Sequence, residues 1–194
     1  MREILFIHIP KTAGSSIGAF LRYKKYEKWN RDNFKKNHDS FLELKSNNKI
    51  NENVEIFTVT RNPYTRALSY FFHFKRINKV NCSFEDFLKT VEKKEKRQLT
   101  PLISYDQTYY ILDEHKNLFK GHIFKYEELN KVEKFLKIKL PKINVGNYTK
   151  DDFLKIYSNK NIETVKKIYA RDFEMLNYST NFYEAIKDYA SRDI

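Results

Sequence analysis

Apolar positions fall into two kinds of run along this chain, and their alternation predicts an α/β protein. Residues 4–10, ILFIHIP, form a short apolar run closed by proline, as suits a buried strand. A turn follows at Lys11–Ser16. Ile17, Phe20 and Leu21 then recur at i, i+3 and i+4, the inner face of an amphipathic helix. Ser15 or Ser16 is placed to cap that helix, since a hydroxyl satisfies free first-turn N–H groups. Residues 54–60, VEIFTVT, are β-branched and apolar on both faces, the pattern of a central parallel strand. Asn62 then caps and Pro63 opens a helix running to about residue 77.

Weaker signals fill in the rest. A short strand is expected near residues 34–38. After it comes a helix over 41–45, capped by Asp39 or Ser40, with Phe41, Leu42 and Leu44 facing inward. Residues 45–53 are polar and Asn-rich, hence a loop. Ser83 begins a helix with Phe84, Phe87, Leu88 and Val91 at helical spacing. Residues 105–112 and 127–136 are expected to be helical and 118–125 a strand, with a loop over 142–150. Helices over 151–157, 162–173 and 181–190 close the chain. Strands alternating with helices predict a central parallel sheet.

At 194 residues the chain is expected to be one domain, residues 1–194. Its 41% hydrophobic and 16% aromatic content suffices for a core. A single cysteine, Cys82, excludes an internal disulfide and any CxxC motif. Arg2 and Glu3 lead straight into the first strand, and no run approaches a membrane span, so the expectation is a cytoplasmic protein. The net charge of +12 implies anionic partners. It is scattered over lysines without a basic tail, which argues against a specific nucleic-acid binder.

The chemistry concentrates in two strand–turn–helix units. In PKTAGSS a mobile cation, Lys11, precedes a helix N-terminus, where backbone N–H groups and the helix dipole favour a phosphate-like anion. A Walker A loop places its lysine after the glycines; here the lysine comes first. In TRNPYTRALSYF, Arg61 ends a strand at the edge where open α/β sheets bind ligands, and Ser69 lies eight residues on. An arginine fork plus a hydroxyl can grip one phosphate. Arg66, Ser69 and His73 share one helical face, opposite a core face of Leu68, Phe71 and Phe72.

HIPKTAGSS resembles the 5′-phosphosulfate loop of sulfotransferases that use 3′-phosphoadenosine 5′-phosphosulfate (PAPS), in their carbohydrate and membrane-associated branch. RNPYTRALSYF resembles the same family's 3′-phosphate motif, and HDSFLEL, FKYEEL and VKKIYARDFEMLNY extend the likeness along the chain. The resemblance implies a single-domain, three-layer, P-loop-like α/β fold. It implies that Lys11, Thr12, Ala13, Gly14, Ser15 and Ser16 hold the 5′-phosphosulfate, that Arg61 and Ser69 hold the 3′-phosphate, and that no metal is needed. His38 is the candidate base for a hydroxyl or amine acceptor on a glycan or small metabolite, because neutral imidazole takes a proton near working pH. His8, alternating with Phe6, is expected to be structural. His73 lies on the Arg66/Ser69 face, and Asp106 and Gln107 are candidate acceptor-side residues. A P-loop-type kinase and an anionic-polymer binding module are the alternative readings. The adenine-covering loop falls, on this reading, within residues 142–150.

Overall fold

The computed structural model describes residues 3–23, 38–50, 53–93, 106–141, 143 and 149–190. The fold is mixed α/β, as the alternation predicts, and its residues group into two compact units. The first comprises Met1–Thr60 and Gln107–Val145, the second Arg61–Asp106 and Gly146–Ile194.

The first unit is built on a three-stranded parallel sheet of β1 (Ile4–Ile7), β2 (Glu55–Thr60) and β3 (His122–Lys125), in that order. Ile4 faces Glu55, and Phe57 faces His122. β2 is thus central, which its two apolar faces require. Phe6, Phe57 and Val59 pack with Ile17 and Leu21 of α1 (Gly14–Tyr23) and with Val132 and Leu136 of α5 (Leu129–Leu136). The short α2 (Phe41–Ser46) is closed by a capping box: Ser40 Oγ accepts from the Glu43 N–H, and Glu43 accepts from the Ser40 N–H at 2.7 Å.

Several local expectations change here. Of the strand expected near 34–38, only His38 lies within the described residues, and it sits in a turn. Leu42 points outward, 41% exposed, because a six-residue helix turns only Leu44 fully into the core. The helix expected over 105–112 is one 3-10 turn, Thr108–Tyr110. β3 starts four residues late. Leu118 is taken by an antiparallel bridge to Leu112, closed by an Asp113 turn whose carboxylate accepts from the His115 and Asn117 N–H groups. Gly121 then passes so close to the sheet that a Cβ would lie 2.6 Å from the Ile56 carbonyl. The helix expected from 127 begins as a 3-10 turn, Tyr126–Glu128.

The second unit is helical among the described residues: α3 (Pro63–Asn78), α4 (Phe84–Glu92), α6 (Lys150–Ile156), α7 (Asn159–Ile168), α8 (Ala170–Met175) and α9 (Phe182–Ala190). Asn62 caps α3 by accepting from the Tyr64 N–H, and Ser83 caps α4. The single helix expected over 162–173 breaks at Tyr169, whose backbone leaves helical geometry and whose ring is fully buried. α3 is the axis of the unit: every residue from Pro63 to Phe71 is buried. The expected division into a core face and an open face therefore fails over its first two turns. Tyr64 packs against Tyr157, Phe173 and Phe182. Its hydroxyl donates to the Thr180 carbonyl at 2.7 Å, and Tyr157 donates to the Tyr64 carbonyl at 2.7 Å.

Burial pushes the Tyr169 phenol up to about 12, and raises Tyr64 and Tyr157 as well. A raised folded value means that the native state holds these protons more tightly than the unfolded chain. Their contribution to stability is complete below the unfolded value of about 10 and is lost as pH climbs through the folded values. The expected result is cooperative alkaline unfolding beginning above pH ~10, with phenolate absorbance from these rings appearing only as helicity is lost. Phenolate signal equal to that of all 14 tyrosines, reached while the protein remains folded, would contradict it.

Candidate active site

In the first unit the site starts where β1 ends. Lys11 and Ala13 both have left-handed backbone, φ 69° and 67°, a conformation that costs a non-glycine residue about 1–2 kcal/mol. Turns of this type arrange successive N–H groups around a hollow that accepts anions. Thr12 is buried and its hydroxyl donates to the Ile9 carbonyl at 2.8 Å, so it pins the turn from inside. α1 begins at Gly14, two residues earlier than a Ser15 cap and three earlier than a Ser16 cap would place it. The Ala13 carbonyl, and no serine hydroxyl, accepts from the Ser16 and Ile17 N–H groups. The Gly14 and Ser15 amides, at the helix start, have no carbonyl four residues back within the helix. The first turn carries no carboxylate to compete with an arriving anion. Ser15 is exposed. Ser16 is buried, and its hydroxyl accepts from the Ile143 N–H at 3.3 Å, tying this turn to the start of the 142–150 segment. Residues 142 and 144–148 of that segment, where the adenine-covering loop is expected, lie outside the described residues.

His38 belongs to the same unit. Its Nδ1 lies 2.9 Å from the His8 carbonyl oxygen. A carbonyl only accepts, so Nδ1 carries the proton, and in the neutral ring Nε2 bears the lone pair. In this tautomer a neutral ring takes up a proton at Nε2. The His8 and His38 rings lie 4.3 Å apart, tilted by 47°. Asp39, next in sequence, is held by Lys49 at 3.2 Å. His8, expected to be structural, stacks on Phe6 as strand alternation predicts, and it also touches both the turn and the candidate base.

In the second unit Arg61 is the residue that follows β2, and it is only 3% exposed. Its Nε donates to Thr65 Oγ1 at 3.0 Å, and Thr65 in turn donates to the Asn62 carbonyl at 3.1 Å. This chain fixes the plane of the guanidinium, which a fork-type grip on a phosphate requires. Ser69 lies further along α3, at the border of burial. The first turn of α3 also lacks a carboxylate.

Arg66 is not a site residue in this geometry. It is 1% exposed, 3.7 Å from the fully buried Asp172, and flanked by the rings of Tyr70 and Tyr169. His73 accepts from Arg76 at 3.3 Å near the far end of α3. Gln107 is wholly buried and Asp106 half-buried. The sequence reading missed two features: the His8–His38 contact and the Arg66–Asp172 pair. Gly14 carries a trace of the first. No spacing rule links Arg66 to Asp172.

Among the described residues, no helix is long and apolar enough to cross a membrane. A profile described as the sulfotransferase family matches residues 2–179, nearly the whole chain. A search of curated proteins finds no match. Among solved structures, the chain is similar to a sulfotransferase from Alicyclobacillus acidocaldarius. The identity is 14% and the TM-score 0.45, over 100% of this chain and 88% of that one.

Proposed function

Because the chain belongs to the sulfotransferase family, we propose that it moves a sulfuryl group from PAPS to a hydroxyl or amine acceptor on a carbohydrate or small metabolite. The observation that carries this reading is the Lys11–Ser16 turn, where two left-handed residues lead into a helix start that carries no carboxylate in its first turn, beside a lysine. The Gly14 and Ser15 amides and Lys11 are suited to the 5′-phosphosulfate. Thr12 and Ala13 shape the turn, and Ser16 anchors it to Ile143. Arg61, its plane fixed by Thr65, together with Ser69 is suited to the 3′-phosphate. The scattered positive charge favours an acidic acceptor.

On this reading, transfer is a single in-line displacement. His38 Nε2 removes the acceptor's proton as its oxygen or nitrogen bonds to sulfur, and the bond from sulfur to the 5′-phosphate oxygen breaks. Lys11 and the turn amides take up the charge that develops on that leaving oxygen. Charge compensation thus comes from the chain itself, and no metal is called for.

The test is transfer of labelled sulfate from PAPS to a panel of hydroxyl and amine acceptors in the presence of a chelator. His38→Ala is expected to lower kcat about a hundredfold, within the range of general-base effects, and to flatten the acidic limb of the pH–rate profile. Transfer that requires a divalent metal, or full turnover in His38→Ala, would overturn these roles.

A further inference from the structure

Gly14 and His38 both press on the same side chain, the imidazole of His8. A Cβ built at Gly14 would lie 1.7 Å from His8 Nε2 and 1.9 Å from its Cδ2. The ring therefore occupies the space that the glycine's missing side chain leaves. On its other contacts the ring meets His38 at 4.3 Å between centroids and stacks on Phe6 at 5.6 Å and 21°. The main chain of the same residue accepts the Nδ1 proton of His38. One residue thus holds the proposed base at two points and abuts the anion turn at a third.

We propose that His8 is a positioning residue: its ring, wedged between Gly14 and His38, sets the direction of His38 Nε2 relative to the donor turn. This rests on the reading of His38 as the base. The carbonyl contact selects the Nδ1–H tautomer only while the ring faces it, and that one bond leaves the imidazole free to swing away. The His8 ring removes that freedom by filling one side. Chemistry that depends on approach geometry is sensitive to this, because a shift of about 1 Å in a reacting group can cost about a hundredfold in rate. It also gives Gly14 a reason beyond helix initiation, since any larger residue would push the wedge into His38.

Two variants separate a wedge from a mere filler. His8→Ala removes the ring, whereas His8→Phe keeps a flat ring without proton chemistry; neither touches the backbone carbonyl. Nitrogen-15 NMR of the imidazoles reads the His38 tautomer directly and needs no acceptor. The wild type is expected to show Nδ1–H alone, His8→Ala a mixture, and His8→Phe the wild-type pattern. In the transfer assay, His8→Ala is expected to lower kcat about 30- to 100-fold and His8→Phe about fivefold or less. Affinity for the product nucleotide should stay within about threefold in both. Unchanged tautomer and turnover in His8→Ala would overturn the proposal. So would a folded His8→Phe that loses as much as His8→Ala. Failure of the base reading shows separately, as full turnover in His38→Ala, and leaves the NMR result standing on its own.

Discussion

On the proposed reading, Lys11→Ala is expected to lower kcat by about a thousandfold while weakening binding of the product nucleotide less than tenfold. The asymmetry follows from when the charge appears. In the ground state the 5′-phosphate oxygen that bridges to sulfur carries little charge; as the bond to sulfur breaks, that oxygen becomes an anion. A cation positioned there is worth more in the transition state than in the bound complex, and only that difference raises kcat. Removing one such donor typically costs 10²–10³-fold, and a full positive charge sits at the upper end. Residue 11 has φ 69°, and alanine carries the same Cβ as lysine, so the backbone strain is unchanged. Steady-state kinetics with a parallel unfolding curve checks this. A loss confined to KM would mean that Lys11 binds without catalysing.

Asp172→Ala is expected to cost about 3–5 kcal/mol of stability, a large share of the 5–15 kcal/mol typical of a domain. Asp172 is completely buried, and its oxygen lies 3.7 Å from the Arg66 guanidinium, which is itself 1% exposed. Arg66 Nη1 and Asp172 Oδ2 are too far apart for a hydrogen bond, so this contact acts through charge, beside the Tyr70 and Tyr169 faces that flank the guanidinium. Taking the carboxylate away leaves a buried cation with no countercharge from Asp172. Replacing both members, Arg66→Met with Asp172→Leu, recovers most of the loss, because an apolar pair of similar volume needs no desolvation of charge. Urea unfolding of the single and double variants decides it. A single variant within 1 kcal/mol of wild type would remove the pair from the account.

The contrast between these two predictions follows what the sequence makes legible. Lys11 and Arg61 stand out because each follows a short apolar strand and precedes a helix, a pattern local in sequence. The same locality makes the Asn62–Pro63 helix start and the Ser40–Glu43 capping box readable. The surroundings of Arg66 are illegible for the opposite reason. Its helical spacing with Ser69 is real, but its partner lies over a hundred residues away on α8, and periodicity carries no information about that. The break at Tyr169 is of the same kind, since VKKIYARDFE contains neither proline nor glycine and only packing bends it. β3 begins late for a reason visible only in three dimensions, the approach of Gly121 to Ile56. His38 was picked out by its chemistry, whereas its tautomer needed the His8 carbonyl, which no pattern of side chains reveals.

The central claim is a donor site that recognises a 3′-phosphorylated nucleotide. It is tested most directly by metal-free calorimetric titration with 3′-phosphoadenosine 5′-phosphate beside adenosine 5′-phosphate, which lacks only the 3′-phosphate. Charge-assisted hydrogen bonds from Arg61 and one from Ser69 predict a preference of about 10- to 100-fold for the first ligand. Arg61→Ala is expected to remove most of that preference while leaving adenosine 5′-phosphate binding unchanged. Equal affinity for the two nucleotides, or an undiminished preference in Arg61→Ala, would contradict the account.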